Sequence, residues 1–158
     1  MPSVVSPSHK HLGIDVERVS AVAEHNLGLE VSCTDGTTRR YYRAGAAIAA
    51  GDALITDTAE GPNDVQPSAA ADTPIVGVWP SAYPAIADNS YFWAVVKGLV
   101  SVKAAATVVA GAPAVPIATA GTLDDTAATA ANALAAASGA GAVFMTTTAS
   151  GFATVRLT

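Results

Sequence analysis

From residue 27 onward, apolar and polar positions alternate in short runs separated by Gly/Pro-rich stretches, the pattern of half-buried strands. LGLEVSC places Leu27, Leu29, Val31 and Cys33 on one face. Asp35-Gly36 is a preferred two-residue hairpin turn, and TTRRYYR returns from it. Ile48, then Leu54 and Ile55, predict two short strands about Ala50-Gly51-Asp52, and residues 60–73 read as a loop. PIVGVW is a strand whose central Gly77 implies a bulge or the close approach of another backbone. A proline-bounded loop, PSAYPAIADNS, leads to the strongest run. YFWAVVKGLVSVKAA sets Phe92, Ala94 and Val96 on one face and Tyr91, Trp93 and Val95 on the other. Gly98 inside it predicts a bend or bulge at a barrel corner rather than a hairpin. Pro113 and Pro116 confine VVAGAPAVPIATAGTL to an edge or turn-rich strand. Val143-Phe144-Met145, a Ser150-Gly151 turn, and Phe152, Val155 and Leu157 predict a closing hairpin.

Two segments break this pattern. MPSVVSPSHKHLG, with two prolines and three serines, has no period and predicts an extended arm, free or laid on a partner. Residues 14–26 put Val16, Val19 and Ala23 at helical spacing, a short helix weakened by β-branched valine. Residues 125–138 are dense in alanine and predict a helix closed by Gly139. The expected architecture is all-β: a small β-barrel or sandwich over 27–158, an N-terminal arm with a short helix over 1–26, and one Ala-rich, helical insertion. An internal echo runs at an offset of 60 residues, IAAGDALITDTAEG at 48–61 against VVAGAPAVPIATAG at 108–121, and predicts two equivalent turn-plus-strand corners.

Composition narrows what such a domain does. The chain has 158 residues, one domain's worth. Its hydrophobic fraction of 51% includes 36 alanines, so the side chains able to build a core are modest in number and the fold is expected to lean on self-association or a partner surface. Charged residues make up 13% and the net charge is −5. That balance argues against nucleic-acid binding. Between Ala104 and Val155 the only charges are Asp124 and Asp125, a composition suited to an interface. No 18-residue strongly apolar run predicts a membrane span, and no cationic segment before an apolar run predicts a signal peptide.

Covalent chemistry finds little support. Cys33 has no second cysteine and reads as a small buried hydrophobe. His9 and His11 share a face of an extended chain, yet no acidic or cysteine cluster nearby completes a metal set. Asp57, Glu60 and Asp64 line a loop without EF-hand spacing, and Asp124-Asp125 read as caps of the Ala-rich helix. No nucleophile elbow, P-loop or dinucleotide fingerprint occurs. The expectation is a non-enzyme with no cofactor and no metal. Arg39-Arg40-Tyr41-Tyr42-Arg43 is a basic, aromatic run, either an exposed hairpin strand with cationic side chains or a grip for an acidic partner surface or nucleic-acid backbone. With Val4, Val5 and His9 of the arm, Arg39, Arg40, Tyr41, Tyr42 and Arg43 are the candidate interface residues. Trp79, Tyr83, Tyr91 and Trp93 read as core or interface anchors.

One ordered set of motifs carries a resemblance. Ala50-Gly51-Asp52, Thr73–Val78 (TPIVGV), Lys97–Val102 (KGLVSV), Val109–Val115 (VAGAPAV), Thr119–Leu123 (TAGTL) and Phe152–Leu157 (FATVRL) follow one another in this order. Over residues 44–158 the chain resembles the capsid decoration, or cement, proteins of tailed bacteriophages. The resemblance implies a compact β-barrel, often trimeric, seated on the outer shell where major capsid subunits meet. The implied partner is the major capsid protein, and the implied location is the virion, after synthesis in the bacterial cytoplasm; neither nucleic acid nor membrane is an expected partner. The alternative is a β-rich binding module, such as a tail or fibre component or a carbohydrate-binding domain. The first 43 residues lie outside the resemblance.

Overall fold

The computed structural model describes residues 10–11, 13–69, 74–125 and 141–158. Twelve strands follow in chain order: β1 (Lys10–His11), β2 (Ile14–Asp15), β3 (Glu30–Ser32), β4 (Thr38–Ala44), β5 (Ala53–Thr56), β6 (Asp64–Pro67), β7 (Gly77–Val78), β8 (Tyr91–Lys103), β9 (Ala114–Pro116), β10 (Leu123–Asp125), β11 (Ala142–Phe144) and β12 (Phe152–Leu157). Among the described residues there is no helix. The expected Ala-rich helix, and Val4, Val5 and His9, lie outside the described residues.

Five strands close a barrel. β8 pairs with β7, β7 with β5, β5 with β6, β6 with β4, and β4 returns to β8, all antiparallel except the β4–β6 pair. Closure removes the open edges that a five-stranded sheet would otherwise present. The interior is filled by Tyr42, Leu54, Val65, Phe92 and Ala94 from the strands, with Trp79, Ile48 and Ile86 from the connections. β8 is 13 residues long and outruns the barrel. Its second half joins β12, which pairs with β11, and this three-stranded extension packs Val100, Val102, Val155, Leu157 and Phe144 over the outer barrel residues Val78 and Val95. Leu123 and Ala114, from the β9–β10 ribbon, complete that second core.

This explains why both predicted faces of the YFWAVV run are buried. Phe92 and Ala94 point into the barrel, while Val95 faces the second core and Trp93 a third cluster with Tyr41, Val31 and Val16. Opposite Thr38 and Arg39 the β8 register jumps from Lys97 to Val95, so Val96 is the extra residue of a bulge. Gly98 follows at φ +102, where an added Cβ would sit 3.0 Å from the Gly36 carbonyl oxygen. The strand bends there and continues, as the sequence predicts. Gly77 also lies under another backbone, its would-be Cβ 3.2 Å from the Val95 carbonyl oxygen.

The two echo segments form the same turn. Asp52 N–H donates to the Ala49 carbonyl and Ala112 N–H to the Val109 carbonyl, each at 3.1 Å, with Gly51 at φ +81 and Gly111 at φ +88. Positive φ at the third turn position is the type II requirement, which glycine meets without strain. A strand follows in both cases. At the C-terminus, Ala149 and Phe152 exchange both backbone hydrogen bonds around Ser150 (φ 54) and Gly151 (φ 81), the geometry of a two-residue type I′ hairpin turn.

Four expectations are corrected. The helix over 14–26 does not form: Ile14–Asp15 pairs with Lys10–His11, the Asp15 side chain accepts from Glu17 N–H, and Ser20 bridges to Tyr91. Burying Val16 against Tyr41 and Trp93 outweighs a helical propensity that valine already lowers, so residues 14–26 pack as part of the domain rather than apart from it. The β3–β4 hairpin has a three-residue loop: Cys33 N–H donates to Thr37 O, and Gly36 at φ +81 takes the left-handed position. The loop expected over 60–73 contains β6, a strand paired antiparallel with β5 and parallel with β4. Asp124 and Asp125 belong to β10, where Asp125 accepts from Val109 N–H at 3.2 Å.

Candidate binding surface

The basic run is not the surface its composition suggests. Its residues lie in β4, which has β8 on one side and β3 or β6 on the other, so both strand edges are paired. Tyr41 and Tyr42 are buried, and Arg39 is 2% exposed. Arg40 reaches Glu30 at 2.9 Å, and Arg43 pairs with Asp64 and with Glu60 at 3.1 Å. The charge of the run is therefore spent within the chain, and Arg39, Tyr41 and Tyr42 are withdrawn as interface side chains. Tyr42 donates to the Val76 carbonyl at 3.2 Å, and its burial pushes the phenol pKa up.

Arg39 instead anchors a polar network beside a cleft. One guanidinium nitrogen donates to the Val16 carbonyl at 3.2 Å and the other to the Tyr83 hydroxyl at 3.0 Å. Tyr83 in turn donates to Glu17 Oε1 at 3.1 Å, and Asp35 Oδ2 lies 3.5 Å from Arg39. The guanidinium carbon stands 5.4 Å from the centre of the Tyr83 ring, and Trp79 meets the same ring at 5.0 Å. Burial raises the Tyr83 phenol pKa, while Arg39 opposes the rise. Asp35 is held by its own turn, accepting from Thr37 N–H at 2.9 Å and Thr37 Oγ1 at 2.6 Å.

The cleft itself measures about 290 Å³. The β3–β4 turn, residues 80–83 and β8 around its bend line it; Leu99 supplies the exposed apolar surface above the buried Val95 and Val100, and Glu17, Asp35 and Tyr83 the polar groups. The Tyr83 ring is occupied by Arg39 and Trp79 and is not presented as a stacking platform for a sugar. Sequence reasoning singled out Tyr83 only as an anchor and missed Glu17 and Leu99. Glu17 lay in the expected helix, and Leu99, beyond the bend at Gly98, is solvent-facing while its neighbour Val100 is buried.

The second exposed area is the outer face of the β8–β12–β11 extension. Cross-strand pairing aligns Leu99 with Arg156 and Ser101 with Thr154, and Val143 lies beside Arg156. Leu99 and Met145 are exposed there, among serine and threonine. Lys103, at the end of β8, is neutralised by buried Asp52 at 2.6 Å. This face is sparsely charged.

Neither area converges on reactive chemistry. Among the described residues no group of three or more His, Cys, Asp or Glu side chains is placed to hold a metal ion. Of the loop acids, Asp57 caps its own turn through Ala59 N–H at 3.0 Å, and Asp64 and Glu60 hold Arg43. Cys33 is half-buried, and desolvation pushes its thiol pKa up, away from nucleophilic use. His25 packs edge-on against Tyr41 at 5.2 Å. No helix among the described residues is long and apolar enough to cross a membrane. No protein-family model matches the chain, and no curated protein matches it significantly.

Proposed function

We propose that this protein is a non-enzymatic virion component that binds the outer surface of a phage capsid and stabilises contacts between major capsid subunits. The observation that carries the proposal is the ordered motif set from Ala50 to Leu157 that resembles capsid decoration proteins. Those motifs coincide with architectural parts of this fold: the Ala49–Asp52 turn, β7, β8, the Val109–Ala112 turn and β12. A closed barrel with a sparsely charged extension suits adhesion. It presents apolar and hydroxyl groups, and it avoids the desolvation cost that a highly charged face would incur. Attachment across neighbouring subunits would add contacts to the shell, and an interface of roughly 1,600 Å² is enough for specific binding. A trimer is the expected assembly.

Electron microscopy of virions carrying the protein tests the proposal. Density on the outer head surface between major capsid subunits is expected, and density confined to the tail contradicts it. Light scattering on the purified chain checks the trimer.

A further inference from the structure

We propose that the outer edge of β3 pairs with the same edge of a second copy of this chain, antiparallel and across a two-fold axis. β3 ends the eight-stranded sheet on one side and β11 ends it on the other. The β11 end is capped: Gly111 N–H donates to the Phe144 carbonyl at 2.7 Å, and Phe144 N–H to the Ala112 carbonyl at 2.9 Å. β3 has β4 on one side and, among the described residues, no strand on the other. Tyr41 N–H donates to Leu29 O at 2.9 Å and Cys33 N–H to Thr37 O at 2.8 Å, so residues 29, 31 and 33 turn their backbone groups toward β4. By alternation, Glu30 and Ser32 turn their N–H and C=O groups outward. Such an edge is a template for another strand, and no proline between residues 27 and 34 blocks it.

An extended backbone offers donors and acceptors at the spacing this edge presents, and the side chains select a second copy. One register places Glu30 opposite Ser32 of the second copy, Val31 opposite Val31, and Leu29 opposite Cys33. Each Glu30–Ser32 pair then exchanges both of its backbone hydrogen bonds. Leu29, 41% exposed, and half-buried Cys33 flank the buried Val31 on one face. The pairing covers these apolar groups with one another and continues the Val31–Tyr41–Trp93 cluster across the axis. On the other face Glu30 meets a hydroxyl, and its charge is already held by Arg40 at 2.9 Å. The neighbouring registers are worse. Glu30 opposite Glu30 sets like charges face to face, and Ser32 opposite Ser32 sets Leu29 against Asp35 of the turn. A strand of three residues makes a weak contact whose effect grows by repetition. Pairing by twos leaves the three-fold assembly proposed above free to form and joins one trimer to the next. It goes beyond the capsid reading and does not depend on it.

Oxidative cross-linking of the purified full chain tests the pairing. Cys33 supplies one thiol, and Leu29→Cys supplies the other at an exposed position. In the proposed register the two form a non-hydrogen-bonded pair with Cα atoms about 4.5 Å apart, within the ~4.4–6.8 Å that a disulfide spans. Within one chain they are four positions apart on an extended segment, roughly 13 Å, too far to bridge. The expected result is a covalent dimer in which peptide mapping joins the introduced thiol to Cys33 of the second copy. The unaltered chain, and Met145→Cys at an exposed position beside β11, are the controls and should form no such dimer. Ser32→Pro, added to Leu29→Cys, removes the outward donor and leaves the β4 ladder intact. It should slow cross-linking roughly tenfold, the scale of the hydrogen bonds lost. Absence of a dimer from Leu29→Cys overturns the proposal by itself, whether or not the proline variant folds. Links between like positions as abundant as the 29–33 link, or an undiminished rate in a folded Ser32→Pro chain, overturn it as well.

Discussion

Arg39 shows what residue type alone conceals. Arginine is almost never buried unless paired, so a basic run reads as surface. Its partners here are the Val16 carbonyl, the Tyr83 hydroxyl and Asp35, and two of the three are more than twenty positions away in sequence. Tyr83 gives the same network a pH signature. Burial raises its pKa, and that of Tyr42, above tyrosine's ordinary value of about 10. Between that value and the folded-state pKa the native protein binds more protons than the unfolded chain, so stability falls as pH rises through this window. Below about pH 10 the two tyrosines contribute no pH dependence. Urea midpoints measured from pH 8 to 11 should be flat with respect to these groups and then decline, and Tyr83→Phe should reduce the decline. An equally steep alkaline loss in the variant would remove Tyr83 from the account.

At the scale of elements, β8 organises the fold, and its bend is the testable feature. The run from Tyr91 to Lys103 was legible as a strand because its alternation is long and its side chains are large. Gly98 was legible as a bend because glycine inside such a run has few other uses. The bulge at Val96 was not legible, since it depends on the register against β4. Gly98→Ala should cost roughly 1–3 kcal/mol, combining positive φ with a Cβ placed 3.0 Å from both the Gly36 oxygen and Thr37 Cα. Gly36→Ala is the control: φ is +81 there but nothing lies within 4 Å of the added Cβ, so only the left-handed penalty of about 1–2 kcal/mol applies. Equilibrium denaturation should rank Gly98→Ala as the more damaging. Of the segments misread at this scale, 14–26 takes its structure from distant packing, Val16 with Trp93, whereas β6 pairs both with nearby β5 and with distant β4, Asp64 with Arg43.

Across the whole molecule, the barrel interior and the outer core share β8, so neither can open alone without stripping one face of that strand. Phe92 fills the first and Phe144 the second, and both are fully buried. Phe92→Ala and Phe144→Ala should each destabilise the chain by about 3–5 kcal/mol. Tryptophan fluorescence, which reports on Trp79 and Trp93 near the barrel, and far-ultraviolet circular dichroism should show one coincident transition in both variants. Separate transitions in Phe144→Ala would mean that the β11–β12 extension unfolds independently. The sparsely charged outer face of that extension was foreshadowed by the near-absence of charge between Ala104 and Val155, but the cleft was not, because its walls come from three separate stretches of chain.

Local pattern by itself determined the all-β class, most of the strands and the position of several turns, because alternation and turn chemistry act over two to five neighbouring residues. Tertiary structure alone decided that β4 meets β8 and β6 to close the barrel, and that a basic run ends with Arg39 buried and its charges paired within the chain. Each of those depends on the free energy of pairing residues far apart in the chain, which no window of neighbours contains.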